Sequence, residues 1–289
     1  MKNKFKIELN NFDIEQIANS GQCFRIKKHP EKENTWKCIT KSHYCEVTQV
    51  PGEKEVAFTC DSDDFKNVWW KYFDLDGNYQ KYINAVDEKD EFLRAAVLEG
   101  KGIRILKQDI WETVISFMIS QNNNIPRIKN TIELMCMLCG TKHEEEDGTV
   151  WAEFPTATQL CKGSLENVGL GYREKYIKTL AKNVKSREVS FRWMENKEIP
   201  DTEIENYLKS IYGIGPKVAH CIMLFGLHRI DSVPKDTWMN KAIAEHYDGK
   251  FPTKRYKGFS GVMQQYIFYY MQQHKQIEKE GVEENGETE

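Results

Sequence analysis

The rhythm of apolar and polar positions changes once along this chain. Up to about residue 100, apolar residues come in short clusters rich in β-branched and aromatic side chains: KFKIEL (4–9), TWKCIT (35–40), HYCEVTQV (43–50) and EVAFTC (55–60). Polar or Pro-Gly breaks separate them, a spacing that predicts an antiparallel sheet. Beyond about residue 105 the pattern becomes helical. DIWETVISFMIS (109–120) opens with Asp109 and carries Glu112 three residues on, the signature of a capping box. Pro126 precedes a second helical run, and further runs follow at 173–186, 201–212, 216–226, 237–247 and 261–275. HEEEDG (143–148) reads as a solvated turn, and no internal repeat interrupts the series. The predicted fold class is α+β. An N-terminal antiparallel β-sheet domain spans 1–104, an all-helical body spans 105–277 with a helical hairpin at 202–226, and 278–289 form an acidic, disordered tail.

Composition narrows the class without choosing a function. The 289 residues are 40% apolar and 12% aromatic, the mix of a globular protein with a full core. No basic-plus-apolar leader stands at the N-terminus and no apolar run approaches ~18 residues, so a cytoplasmic protein without a membrane span is expected. The eight cysteines are scattered and are expected to be reduced thiols. Cys136 and Cys139 form a lone CxxC in a helical setting, with no second pair to complete a metal site. Net charge is −3, but residues 278–289 hold six acids and one lysine, which leaves 1–277 at +2. Charge therefore neither demands nor excludes DNA as a partner.

The stretch YGIGPKVAHCIMLFG (212–226) joins two helices through Gly213-Ile214-Gly215. Glycines permit positive φ and the close approach of another backbone or a phosphate, and Pro216 suits the first helical position. The unpaired amides beyond Gly213 suit an anion, although a two-glycine turn serves equally as a plain connection. Lys217 follows, where the helix dipole disfavours a cation by only ~0.3–1 kcal/mol. Its i+4 and i+7 neighbours are Cys221 and Leu224, a mostly apolar face. Lowering an amine from ~10.4 to ~7.5 takes about 4 kcal/mol, so desolvation or another charge must supply most of it. A lysine so treated is a candidate nucleophile; the bland alternative is a surface lysine lying along apolar neighbours. Asp236, 19 residues on, follows Val-Pro and precedes a helical run, so it reads first as an N-cap. A capping carboxylate held ionised by amides can also stabilise a developing cation, and the pair suits chemistry that makes a positive sugar.

At these residues the chain resembles a known superfamily. GIGPKVA followed by VPKDTW looks like the helix-hairpin-helix DNA glycosylases that end in a Gly/Pro-rich loop and an aspartate (HhH-GPD). GQCFR (21–25), SQNNNIPRI (120–128), LGYREKY (170–176) and GVMQQYIF (261–268) resemble the 8-oxoguanine DNA glycosylase/AP lyase branch, in the family's order. The resemblance implies a bifunctional repair enzyme that flips 8-oxoguanine out of duplex DNA, preferably opposite cytosine. It places Lys217 at the Schiff-base position and Asp236 at the essential aspartate. The damaged-base pocket would comprise Gly21, whose carbonyl accepts the N7 hydrogen of 8-oxoguanine, Cys221, Gln264 on the Watson–Crick edge, and Phe268 stacking on the base. The i, i+4 spacing of Gln264 and Phe268 independently gives them one helix face, with Gln265 as the alternative register. Asn122, Arg127 and Arg173 would address the opposite base and Tyr172 would be the wedge, while Gly213, Gly215 and Val218 would hold the DNA backbone. Trp238 departs from the family, standing where histidine is usual near the 5′ phosphate.

No cofactor is required by this reading; a structural monovalent or divalent cation at the hairpin is compatible with it, and a monomer is expected. Two alternatives compete. An endonuclease III-like glycosylase for oxidised pyrimidines shares the lysine, but its common four-cysteine iron–sulfur loop cannot be built where no cysteine follows Cys221. A non-catalytic hairpin module would bind DNA without using Lys217 or Asp236.

Overall fold

The structure, a computed structural model, describes the backbone of residues 2–284. Five antiparallel strands form the N-terminal sheet: β1 (Asn3–Glu8), β2 (Ile26–Lys28), β3 (Thr35–Thr40), β4 (His43–Thr48) and β5 (Glu55–Cys60), in the order β1-β5-β4-β3-β2. Four of them lie where the β-branched clusters fall. β2 is too short to leave a pattern, and its pairing with β3 (Ile26 opposite Cys38) defines it. One face of the sheet turns Ile26, Cys38, Cys45, Val47, Phe58 and Cys60 onto a segment of short helical turns over 62–72, burying Phe65, Trp69 and Tyr72. Phe58 sits 5.5 Å from the Phe65 ring and 5.6 Å from Phe73, an aromatic cluster that closes this smaller core. All eight cysteines are free thiols.

The larger core is helical, and it does not begin at residue 105. Helices Tyr79–Asn84 and Glu91–Gly100 contribute Tyr79, Leu93, Ala96 and Val97 to it, and Phe24 enters it from the sheet domain. Residues 79–97 therefore pack with the body, N-terminal to the boundary expected at 104, while Leu106 returns to the sheet core. The reason is tertiary, because Glu91–Gly100 lies against the C-terminal helix Ser260–Glu284, and Tyr266 reaches Gly100. That last helix runs through position 278, so residues 278–284 are helical rather than the start of a disordered tail; the rest of the tail, 285–289, lies outside the described residues.

Two other local expectations change. Asp109 caps helix Ile110–Ser120 by accepting from the Glu112 N–H at 2.9 Å, but the Glu112 side chain turns inward instead of completing the box. The acidic run at 143–148 is the end of a small ribbon, Lys142–Glu144 paired with Val150–Ala152. Trp151 of that ribbon stacks on Tyr44 of the sheet, and Lys32 bridges Glu46 and Asp147 at 2.7 Å each, which ties one acid of the run to the sheet. Among the described residues no helix is long and apolar enough to cross a membrane.

Candidate active site

A cleft of about 1180 Å³ gathers side chains from six separate stretches of chain. They are Ser20-Gly21, helix Ile110–Ser120 with the asparagine loop after it, Tyr172, the hairpin, the loop to Asp236, and the C-terminal helix. Each is positioned by local chemistry. Gly215 stands at the N-cap and Pro216 in the first turn of helix Pro216–Cys221, which continues into a wider π turn over Ile222–Gly226. Asp236 caps helix Thr237–His246 by accepting from the Met239 N–H at 2.8 Å.

The GQCFR segment shows five neighbours doing five tasks. Gly21 takes φ +71°, where a side chain would be strained, and a Cβ there would come within 2.7 Å of the Phe268 ring. Gln22 bolts the turn down: its Nε2 donates to the Arg104 carbonyl at 2.9 Å, and its Oε1 accepts from the Leu106 N–H at 2.8 Å. Cys23 enters the sheet core and Phe24 the helical core. Arg25 spans the two domains, donating to Glu133 at 3.0 Å and to the Ala152 carbonyl at 2.6 Å. Gly21 is thereby held at the mouth of the cleft.

Lys217 and Asp236 line the same cleft and interact electrostatically. The Lys217 Nζ lies 5.4 Å from the centroid of the Phe117 ring, itself stacked on Phe225 at 5.4 Å. Sequence reasoning missed this aromatic floor; Phe117 was one more apolar position in a helix. Burial pushes the Cys221 thiol up to about 11, against the opposing influence of Lys217, so it stays protonated beside the amine. Burial also raises Asp236 above the usual carboxylate range, although the capping amides and Lys217 favour its charge. Desolvation outweighs the cap in direction, while the capping amides and Lys217 still favour the carboxylate that the sequence led one to expect.

On the C-terminal helix, Gln264 and Phe268 both face the cleft. Gln264 is 3% exposed, and among the described residues no donor reaches its Oε1. Gln265 also lines the cleft, but its Nε2 is tied to the Ser20 carbonyl at 2.5 Å. The Gln265 Oε1 is also without a donor among the described residues, so what distinguishes Gln264 is that no hydrogen bond anchors its amide and it can turn to a ligand.

The far rim is built differently. The three asparagines have separate jobs: Asn122 takes φ +47° and is exposed, Asn123 donates to the Ile119 carbonyl, and Asn124 caps helix Ile125–Cys139. Arg127 is exposed, whereas Arg173 is buried. Arg173 donates to the carbonyls of Gln121 and Leu170, and to that of Asn122 at 2.8 Å. The structure does not bring Arg173 to the surface where an opposite base could meet it; main-chain carbonyls consume its donors. Tyr172 stands out at 53% exposed. Gln121 was overlooked in sequence although it ties the rim to the hairpin, donating to the Gly213 carbonyl at 2.9 Å.

At the hairpin, Gly213 takes φ +91° with the Tyr176 ring 2.5 Å from where a Cβ would stand, so the fold itself demands glycine there. Gly215 has open space around it and no positive φ. Val218 buries its side chain and leaves only its main chain to the first turn. Trp238 lines the cleft beside Asp236.

Among the described residues, one trio of ligand-type side chains is close enough to share a cation, His29, Glu46 and Asp147, and it is not on the hairpin. The Lys32 ammonium already bonds both carboxylates. The His29 Nδ1 accepts from two backbone N–H groups at 3.1 Å, which leaves its ring hydrogen on Nε2 rather than a lone pair for a metal.

Residues 4–114 match the family described as "8-oxoguanine DNA glycosylase, N-terminal domain". An N-glycosylase/DNA lyase of Saccharomyces cerevisiae is 30% identical over 84% of this chain and 70% of its own length. An N-glycosylase/DNA lyase of Arabidopsis thaliana is 29% identical over 75% of this chain and 61% of its own. A crystal structure of the Clostridium acetobutylicum 8-oxoguanine glycosylase/lyase, with double-stranded DNA containing cytosine opposite 8-oxoguanine, superposes with a TM-score of 0.85. It shares 31% identity and covers 95% of this chain and 98% of that one. With a relative 30% identical over most of both chains and a solved structure of the same family that superposes over nearly the whole molecule, this chain belongs to the 8-oxoguanine DNA glycosylase/lyase family.

Proposed function

We propose that this protein removes 8-oxoguanine from duplex DNA, preferably opposite cytosine, and then cleaves the strand through a Lys217 Schiff base. The observation that carries the proposal is the convergence of Lys217, Asp236, Gln264, Phe268 and Gly21 on one cleft. Chemistry at C1′ needs the nucleotide out of the stack, and the cleft is large enough to receive it. Phe268 offers a face for stacking, the free Gln264 oxygen can accept from a purine edge, and the Gly21 carbonyl can take the N7 hydrogen peculiar to the lesion. That last contact discriminates because guanine would set a lone pair against a carbonyl.

In the reaction, the neutral Lys217 amine forms a bond to C1′ as the glycosidic bond breaks and the base departs with the electron pair. Asp236 supports the positive charge on the sugar meanwhile. A proton passes from the attached nitrogen to the ring oxygen as the C1′–O4′ bond opens, leaving an iminium whose electron demand loosens a C2′ proton. Loss of that proton expels the 3′ phosphate by β-elimination. No oxidant or metal enters the balance. Gly215, where the fold does not demand glycine, suits close approach of the DNA backbone at the hairpin.

Borohydride reduction tests the reading. Wild type should be trapped covalently on an 8-oxoguanine:cytosine duplex and the Lys217→Gln variant should not. Trapping that persists in the variant removes Lys217 from the mechanism. Trapping on oxidised pyrimidines but not on 8-oxoguanine would favour the endonuclease III-like alternative.

A further inference from the structure

A second hollow, about 450 Å³, lies behind the wedge tyrosine. Tyr172 lines both it and the main cleft, so the two are divided by one ring. Its other walls are Tyr176 and Tyr212. Both outer rings stand nearly perpendicular to Tyr176: Tyr172 at 76° and 5.8 Å, Tyr212 at 89° and 4.8 Å between centroids. Tyr212 is 49% exposed, a large ring half open to solvent. Lys175 places its Nζ 5.7 Å from the Tyr212 centroid and makes no ion pair among the described residues. Lys178, by contrast, is neutralised by Glu174 at 2.6 Å.

Aromatic faces with an unpaired lysine beside them suit a base stacked on a ring and its phosphate held by the ammonium. The position selects which strand. Tyr212 directly precedes the Gly213-Ile214-Gly215 turn, read above as the contact to the DNA backbone, and Lys217, which takes the extruded sugar, follows it, which ties the notch to the strand that carries the lesion. We propose that this notch is a second nucleic-acid subsite, which holds the nucleotide next to the extruded one on the damaged strand, stacked on Tyr212 and neutralised by Lys175. The proposal rests on the glycosylase reading above and adds a residue pair that reading does not use.

Tyr212→Ala should weaken binding to a lesion duplex by about 5–150-fold, the range of one base–aromatic stack. Tyr212→Phe, which keeps the ring, should bind like wild type, and thermal melting should be unchanged in both variants. Substrate variants locate the occupant. A tetrahydrofuran abasic nucleotide placed beside the lesion on the damaged strand, tested on each side, should erase the difference between Tyr212→Ala and wild type on one side. The same abasic nucleotide in the undamaged strand should leave the difference intact. Erasure from the undamaged strand alone, no erasure at any position, or no loss of affinity in Tyr212→Ala each overturns the proposal. Borohydride trapping at saturating Tyr212→Ala separates this failure from failure of the glycosylase reading, because trapping there depends on Lys217 and not on the notch.

Discussion

The two sides of the cleft are made in opposite ways. On the base side, Gly21, Gln264 and Phe268 are set by buried neighbours from both domains, and Lys217 and Asp236 stand at the starts of helices. On the far rim, Asn122, Arg127 and Tyr172 are exposed, and the loop that carries Asn122 is held from beneath by Arg173 and Gln121 through main-chain carbonyls. A buried side acts as a mould and can reject a wrong base through an unpaired polar atom. An exposed rim can adapt to DNA but has less fixed geometry with which to discriminate. Selectivity for the lesion should therefore be stronger than selectivity for the base opposite.

Mutations can break this contrast, and the largest effect after loss of Lys217 belongs to Asp236. Asp236→Asn keeps the cap but loses the charge, so excision should fall by about 10²–10³-fold. Stability should move the other way. Burial raises the Asp236 pKa, so its favourable contribution is present below the unfolded-state value and lost as pH climbs through the folded one. At pH 7 the ionised carboxylate is a cost, and Asp236→Asn should melt at the same temperature as wild type or higher. A lower melting temperature with intact excision would make Asp236 a structural cap and nothing more.

Gln264→Ala comes next. Removing its side-chain amide should lower 8-oxoguanine excision by about 5–150-fold, from loss of hydrogen bonds worth about 1–3 kcal/mol. Affinity for undamaged duplex should not change, and Gln265→Ala should instead lower stability by freeing the Ser20 carbonyl. Equal losses on both duplexes for Gln264→Ala would place the base-reading amide elsewhere.

The two arginines of the rim sharpen the comparison further. Arg173→Ala leaves buried carbonyls unpaired and should cost about 1–3 kcal/mol of stability, seen as a fall in melting temperature. Arg127→Ala should stay within about 0.5 kcal/mol of wild type but narrow the rate difference between cytosine and the other three opposite bases. If Arg173→Ala melts normally while erasing that preference, its inward orientation is not what matters.

The smallest effect on activity is expected at Glu112. Its carboxyl, buried on the helix behind the cleft, is pushed up to about 7, chiefly by burial and against the pull of Arg25. A raised acid stabilises the fold below its unfolded-state value and loses that contribution as pH rises through 7. Glu112→Gln stays neutral, so its stability should decline less than wild type between pH 5 and 8, by about 1–3 kcal/mol. Chemical denaturation across that range measures the slope; parallel profiles would mean that Glu112 does not titrate there.

What was legible in the sequence was local. Four strands follow from β-branched clusters, and Asp109 and Asp236 cap because their side chains reach amides three residues on. Gln264 and Phe268 share a face because a helix repeats that way. What the sequence could not decide involved partners distant along the chain. Gln265 differs from Gln264 through a carbonyl 245 residues away. Arg173 is turned inward by carbonyls some 50 residues earlier, Lys217 gains its aromatic floor from Phe117, and residues 79–97 join the body because helix Glu91–Gly100 finds the C-terminal helix. Periodicity and capping depend on neighbours within a few residues and can be read along the chain. Burial and the pairing of polar atoms depend on which segments meet, and tertiary packing alone decides that.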